Sequence, residues 1–461
     1  KRGTLMKILH FFRCISVTCI FILLIGIPAG AFAKRPSPPP PPPEPEPIPI
    51  GTTDLVSKAS DGTQANNQSY SPSITSDGRF VLFTSVASNL VPNDTNGKYD
   101  VFVHDQTTGI TERVSVASDG TEANNSSGDG DISADGRYVA YASSASNLVA
   151  GEQTYFSQIY VHDRLNGITE RVSVATDGTL GNASSSSATI STDGRYVAFT
   201  SSADNLVADD TNGYYADIFV HDRLNGTTER VSVASDGSQA NHRSALPDMS
   251  ADGQTITFLS DASNLVAGDT NSTTDIFVHN RVTGITERVS VASDGTQANK
   301  SCIGPAISAD GNVVSFSSAA TNLVSGDNFF YSDVFVHDRT TGITERISQT
   351  SDGTPGNDGS FVGSLSADGR YVAFFSYANN LDIPGSYINW WYSDVFVYDR
   401  VLKKLEPISL TFDDLQPGDD SSYPAISADG RFVAFESYAS DLLPTDNGLY
   451  TNDIFVRDRN P

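Results

Sequence analysis

Ser191-Thr192-Asp193-Gly194-Arg195-Tyr196-Val197-Ala198-Phe199, followed by Asp217-Ile218-Phe219-Val220-His221-Asp222-Arg223 and then Thr228-Glu229-Arg230-Val231-Ser232-Val233, is a unit that returns along the whole chain. Its Ser/Thr-x-Asp-Gly start stands also at Thr75 to Gly78, Ser133 to Gly136, Ser250 to Gly253, Ser308 to Gly311, Ser366 to Gly369 and Ser427 to Gly430. Successive glycines are separated by 58, 58, 59, 58, 58 and 61 residues. A fixed period of this size marks a repeat architecture, in which each unit buries its faces against its neighbours.

Each unit reads as four strands. In the third, strand a ends over Ala188 to Ser191, Asp193-Gly194 makes a tight hairpin turn, and strand b runs from Arg195 to Ser201. A loop of about 15 residues leads to strand c, Asp217 to Asp222, and the turn at Leu224 to Gly226 leads to strand d from Thr228. Both faces of strands b and c are apolar, as expected where each sheet is covered on both sides by another sheet. Four-stranded units repeated radially make a β-propeller. The last unit stops after its strand c, Asp453 to Asp458, at Pro461. Its missing strand d stands at the other end of the chain, where Thr53-Asp54-Leu55-Val56-Ser57 aligns with Thr111-Glu112-Arg113-Val114-Ser115. The expected fold is therefore all-β: a seven-bladed β-propeller over residues 52–461, closed by the N-terminal strand completing the last blade.

The repeat S-x-D-G-R-Y-V-A-F followed by D-I-F-V-H-D-R-x-T-G-x-T-E-R resembles the WD-repeat-like propeller repeat of the TolB group. The resemblance covers nearly all of residues 52–461 and implies the propeller. TolB also has an N-terminal α/β domain that finds no counterpart here, so no TolB-like place in envelope assembly follows. That family includes scaffolds, binding modules and a few enzymes.

Residues 1–33 read as an export signal. Lys7 and Arg13 precede the apolar run Ile15 to Ile27, and Ala31-Phe32-Ala33 has the small-x-small pattern of a cleavage site. The alternative is an uncleaved membrane anchor, for which the run is short and interrupted by Gly26, Pro28 and Gly30. The five residues before Met6 read as upstream of the true start. Residues 34–51 open with a proline-rich linker, KRPSPPPPPPEPEPIPI, expected to be extended. A secreted or periplasmic protein of the bacterial envelope is expected. Cys14 and Cys19 fall in the signal, which leaves Cys302 as a single thiol and no internal disulfide.

The chain carries 29 basic and 55 acidic residues, and four of the basic ones lie in the signal, leaving a charge of −30 on the remainder. Such a surface repels phosphate backbones and anionic headgroups, which argues against nucleic acid and membrane-surface partners. It attracts divalent cations and basic partners, or serves solubility alone.

Strand direction puts the short a–b and c–d turns on one face of the disc and the long b–c and d–a loops on the other, where binding is expected. In the b–c loops Asp94, Asn96 and Asp100 place oxygen donors at positions 1, 3 and 7, and Asp210, Asn212, Asp217 and Asp269, Asn271, Asp275 nearly repeat this. The start resembles part of a calcium loop, although Ca²⁺ takes about six to eight oxygens and the distal Glu is lacking. The other reading is that Asp, Asn and Gly build turns here. The same loops carry Tyr99, Tyr155, Phe156, Tyr214, Tyr215, Phe329, Phe330, Tyr331, Tyr387, Trp390, Trp391, Tyr392 and Tyr450. Aromatics beside carboxylates suit stacking on sugar rings or anchoring a protein, or they plug gaps between blades. His104, His162, His221, His279 and His337 share one place near the end of strand c, roughly 10 Å out from strand a, and diverge from blade to blade, so they cannot converge on one metal.

The leading expectation is a non-catalytic module that binds a glycan or protein through its long-loop face, with Ca²⁺ stiffening the loops if it binds. A polysaccharide lyase or hydrolase with its site at the channel mouth is the alternative, and a structural envelope scaffold is the third reading. For the enzyme, Asp131 and Asp248 are the odd acids at a strand-a position held elsewhere by Ser73, Thr189, Ala306, Ser364 and Ala425.

Overall fold

The computed structural model describes residues 51–150, 156–327, 331–381, 392–444 and 451–460. The expected signal and all but the last residue of the linker lie outside these residues. Seven four-stranded antiparallel sheets account for the regular structure, and among the described residues no helix is long and apolar enough to cross a membrane. Blade three is typical, with strand a at Ser185–Ile190, b at Tyr196–Ser201, c at Asp217–Asp222 and d at Thr227–Arg230. Each inner strand a neighbours the inner strands of both adjacent blades, and blade seven in turn neighbours blade one. The ring is closed as expected. Thr52–Leu55 forms the outer strand of blade seven, with Thr52 opposite Asp458 and Leu55 opposite Phe455.

The Ser-x-Asp-Gly signature is a turn that satisfies its own polar groups. Ser191 Oγ donates to Asp193 Oδ1 at 2.7 Å and accepts from the Tyr196 amide at 2.9 Å, while the Arg195 amide donates to the same carboxylate. The residue between Ser and Asp links blades. Amides of Ala134, Thr192, Ala251, Ala309, Ala367 and Ala428 donate to the carbonyls of Thr192, Ala251, Ala309, Ala367, Ala428 and Ser76, a chain of backbone bonds that runs round the ring and across its closure. Gly194 has φ +72° and faces Tyr138 of the preceding blade so closely that a Cβ would lie 2.1 Å from its ring, which is why glycine stands there.

The core lies between sheets. Strands b and c of blade three are buried throughout, and Val197 and Phe199 pack with Ala140, Ile159 and Val161 of blade two. Phe199 and Phe219 stack at 6.0 Å within the blade. Burying such side chains contributes about 1.5–3 kcal/mol each, enough to hold a fold without disulfides.

A polar latch repeats on the short-turn side of the six junctions between consecutive blades. In blade two Arg164 Nη1 donates to its own Gly136 carbonyl, its Nε contacts Glu112 of blade one, and the guanidinium lies 4.5 Å from the centroid of Phe80 of blade one. Arg79 covers Phe80 too, at 4.6 Å, while holding Asp105 through two hydrogen bonds. The histidines serve a similar purpose further out. His221 Nδ1 lies 2.8 Å from Thr228 Oγ1, which donates to the Val174 carbonyl of the preceding blade. Burial pulls the histidines below their usual range, His104 to about 4, so they are neutral structural links.

Candidate functional site at the channel mouth

Strand a of most blades carries a bulge near its long-loop end, and the bulged residue has a left-handed backbone: Ser71, Asp129, Ser187, Leu246, Gly304 and Tyr423. A bulge turns one side chain away from the ladder, and here the turned residue varies among Ser, Asp, Leu, Gly and Tyr while its surroundings repeat. These positions face the mouth of the central channel because strand a is innermost.

Around that mouth the aromatic side chains gather on blades six, seven and one. Phe361 stacks on Phe375 at 5.3 Å and 26°, Tyr423 of blade seven lies 5.3 Å from Phe375, and Tyr377 meets Phe375 edge-on at 6.3 Å. Tyr423 is 60% exposed and Tyr377 39%, so this stack has a wet outer surface. Across the ring closure Tyr438 brings its hydroxyl 3.5 Å from that of Tyr70, whose ring is 6.2 Å from Tyr99. Other blades place Thr84, Ala142, Thr200 or Ser317 where blade six has Phe375. A cleft of about 320 Å³ continues from Tyr70 and Tyr99 to Gly128 and Asp129 of blade two.

Carboxylates accompany the arc. Glu436 occupies the Phe375 position in blade seven, is buried, and accepts the Ser71 amide of blade one at 3.0 Å; burial raises its pKa and the amide opposes the rise. Asp420 accepts the amide and hydroxyl of Ser393. Burial, followed by the nearby Asp420 carboxylate, keeps the Tyr377 phenol protonated above its ordinary range.

The candidate residues singled out in the loops fall into three groups. Trp390, Trp391, Tyr387, Phe329 and Phe330 lie outside the described residues. Tyr214 is almost wholly exposed, while Tyr215 packs on His242 at 4.1 Å, so this pair forms a separate aromatic spot. Tyr392 is half-buried two residues before strand c in blade six.

The predicted calcium residues do come together, but around an arginine. Arg113 Nη1 stands 3.6 Å from both Asp94 and Asp100, and Asn96 Nδ2 donates to Asp100 at 2.7 Å. Blade three repeats this with Arg230 between Asp210 and Asp217 and Asn212 donating to Asp217; blade four has Arg288 between Asp269 and Asp275 and Asn271 donating to Asp275. A guanidinium in the middle of the carboxylates supplies the positive charge, and the Asn presents nitrogen rather than oxygen to its partner. This donor set does not fit Ca²⁺, which needs oxygens directed at a common empty centre. Among the described residues no group of three or more His, Cys, Asp or Glu could hold a metal ion.

Asp131 and Asp248 lie in the channel wall two blades apart, with Thr189 between them. Asp131 accepts from Ser73 Oγ, Thr189 Oγ1 and the Ile132 and Ile190 amides. Asp248 accepts the Met249 and Ile307 amides, both at 2.8 Å, and burial together with the Asp131 charge raises its pKa to about 7. Ser364 accepts the Ile426 amide in the same way, so both acids tie neighbouring blades together. A larger cavity of about 580 Å³ runs between Ala234–Asp236 and Ser263–Asp269 and brings in no aromatic side chain.

Sequence reasoning missed Tyr70, Phe361, Phe375, Tyr377, Tyr423 and Tyr438. The signal was present: Phe374-Phe375-Ser376-Tyr377 and Phe435-Glu436-Ser437-Tyr438 depart from Phe199-Thr200-Ser201-Ser202 at just the positions that reach the mouth.

These features define a β-propeller with a varied mouth on a uniform frame. No protein-family model matches the sequence, and no curated protein does. The structure is similar to the β-propeller domain of the Trilobed protease from Pyrococcus furiosus (TM-score 0.52, 11% identity, covering 85% of this chain and 95% of that one). It is similar also to oligogalacturonate lyase from Vibrio parahaemolyticus (TM-score 0.50, 13% identity, 88% and 97% covered). TolB from Acinetobacter baumannii is a further neighbour (TM-score 0.36, 18% identity, 60% covered), and this chain spans about half of that protein's length, 53%. At such identities the likeness is one of fold. The Pyrococcus propeller is described as having an open velcro topology. Here Thr52–Leu55 closes the ring.

Proposed function

We propose that this protein is an exported binding module that takes a glycan at the long-loop mouth of blades six, seven and one. The observation that carries the reading is the Phe361–Phe375–Tyr423 stack with its exposed outer ring, next to Tyr377 and the Asp420 and Glu436 carboxylates. A flat aromatic face receives the C–H face of a sugar ring, and carboxylates beside it accept the sugar hydroxyls. The net charge disfavours uronate-rich polymers and favours neutral or amino sugars. Export rests on Lys7, Arg13, the apolar run Ile15 to Ile27 and Ala31-Phe32-Ala33.

The test is a glycan array with the purified chain and the Tyr377→Ala/Tyr423→Ala double variant. Binding of neutral or amino sugars that falls at least about tenfold in the variant supports the reading, as losing stacking area of this size implies. Unchanged binding in the variant removes the site.

One observation favours a second reading, catalysis in the channel. Asp248, in the channel wall, is drawn toward a neutral acid at pH 7 by burial, with the Asp131 charge adding to the rise, as suits a general acid. Turnover of a polysaccharide that survives Tyr377→Ala/Tyr423→Ala but is abolished by Asp248→Ser would select it.

A further inference from the structure

The junction that closes the ring differs from the other six at one position. The residue after strand c is Arg164, Arg223, Arg281, Arg339, Arg400 or Arg459 in blades two to seven and Gln106 in blade one. Each arginine reaches back to the preceding blade and engages its strand-d glutamate: Arg164 with Glu112, Arg223 with Glu170, Arg281 with Glu229, Arg339 with Glu287, Arg400 with Glu345 and Arg459 with Glu406. Where the preceding blade has an aromatic at the start of strand b, the same guanidinium covers it. Phe80 lies between Arg79 and Arg164, Tyr138 between Arg137 and Arg223, Tyr196 between Arg195 and Arg281, and Tyr371 between Arg370 and Arg459.

At the closing junction the corresponding ring is Phe432 and the corresponding carboxylate is Asp54, which sits opposite Val456 as Glu112 sits opposite Val103. Phe432 has Arg431 at 4.7 Å and, among the described residues, no second guanidinium. Gln106 donates to the Gly78 carbonyl, as the arginines do to their own glycines, but its amide carries no charge. Asp54 is exposed, and among the described residues no Lys, Arg or His forms an ion pair with it. Between them lies a cavity of about 390 Å³ that includes Asp54, Asp77, Gly78, Gln106 and Phe432.

We infer that this cavity is a recognition socket for a guanidinium group, the arginine side chain of a basic partner segment, held between the free face of Phe432 and the Asp54 carboxylate. The molecule supplies the template: four filled copies of an arginine, an aromatic and a carboxylate define what the fifth lacks. A guanidinium suits it better than an ammonium because it is planar, stacks on a ring and donates sideways to a carboxylate in the same plane. The charge of −30 on residues 34–461 draws such a segment in. The socket lies on the short-turn side, opposite the aromatic mouth, so it is a second site.

The test titrates the full chain, at low ionic strength, with acetyl-Gly-Arg-Gly-amide and with its lysine counterpart, read by calorimetry and saturation-transfer NMR. Expected is saturable binding of the arginine peptide with a dissociation constant on the order of millimolar, at least about tenfold tighter than the lysine peptide. Gln106→Arg fills the socket from within and should abolish binding while raising the melting temperature. Asp54→Asn, an exposed change that leaves the strand intact, should weaken binding severalfold. No saturable arginine binding, equal binding of both peptides, or full binding by Gln106→Arg would overturn the inference.

Discussion

Replacing Arg288 with Met tests whether arginines, rather than ions, neutralise the carboxylates behind the b–c loops. Arg288 Nη1 lies 3.2 Å from Asp269 and 3.5 Å from Asp275, and the two carboxylate side chains are 4% and 0% exposed. Asp275 also accepts Ser290 Oγ at 2.6 Å and Asn271 Nδ2 at 2.8 Å, so its position survives the change. Removing one partner of a buried ion pair costs about 3–5 kcal/mol, because the remaining charge stays buried. Unfolding entropy of about 2.1 cal/mol/K per residue over roughly 400 ordered residues gives about 0.8 kcal/mol per degree, hence a fall of about 4–6 °C in melting temperature at pH 7.5. Burial already raises the pKa of Asp275, so it takes up a proton more readily than a free carboxyl, and the fall should be smaller at pH 5.5. Millimolar Ca²⁺ should leave the parent chain's melting temperature unchanged and restore part of the loss in Arg288→Met, where the positive centre is gone. Differential scanning calorimetry reads all of this. A parent chain that Ca²⁺ stabilises by several degrees, or an Arg288→Met variant melting within a degree of the parent, refutes the reasoning.

Two further outcomes follow from particular contacts. Burial raises Asp248 and Asp394 to about 7 and Asp100 and Asp333 to about 6, so the folded state binds their protons more tightly than the unfolded chain does. Their contribution is full below about pH 4 and is lost as pH rises through about 6 to 7, whereas Asp163 and Asp222, lowered to about 2 chiefly by Arg137 and Arg195, lose theirs only as pH falls through about 2. Urea midpoints should therefore rise from pH 8 to about 5, and Asp248→Ser, which copies Ser364, should flatten that rise; a midpoint that falls over this interval contradicts the assignment. Gly194→Ala should cost about 1–3 kcal/mol more than Gly178→Ala, since both are left-handed but only the former drives a Cβ into a neighbouring ring. Equal urea midpoints for the two variants would show that the Tyr138 contact is absent.

The frame was legible because it is written seven times over. Asp193-Gly194 with alternating apolar neighbours specifies a hairpin, and Thr53 to Ser57 matches Thr111 to Ser115 closely enough to place the closing strand. The arginine at the centre of the carboxylate clusters was not legible because it is distant in sequence: Arg113 lies 19 residues after Asp94, in strand d, and only the fold brings its guanidinium between Asp94 and Asp100. The mouth was missed for the opposite reason. Phe375, Tyr377, Glu436 and Tyr438 sit in or directly after strand b, where the repeat directs attention to the buried positions. Their grouping at the mouth depends on the bulge in strand a and on ring closure, and neither can be seen from a single unit.

Ring closure decides whether Tyr70 of blade one meets Tyr438 of blade seven, and so whether the proposed aromatic site exists. The most direct measurement is hydrogen–deuterium exchange on the full chain and on a chain lacking residues 51–57. Loss of this strand should deprotect Asp453–Asp458 and Phe432–Ser437 by about 100-fold or more, as an unpaired edge implies, while blades three to five keep their protection. Unaltered protection of Asp453–Asp458 in the shortened chain would mean that the N-terminal strand closes nothing, and the account would fail with it.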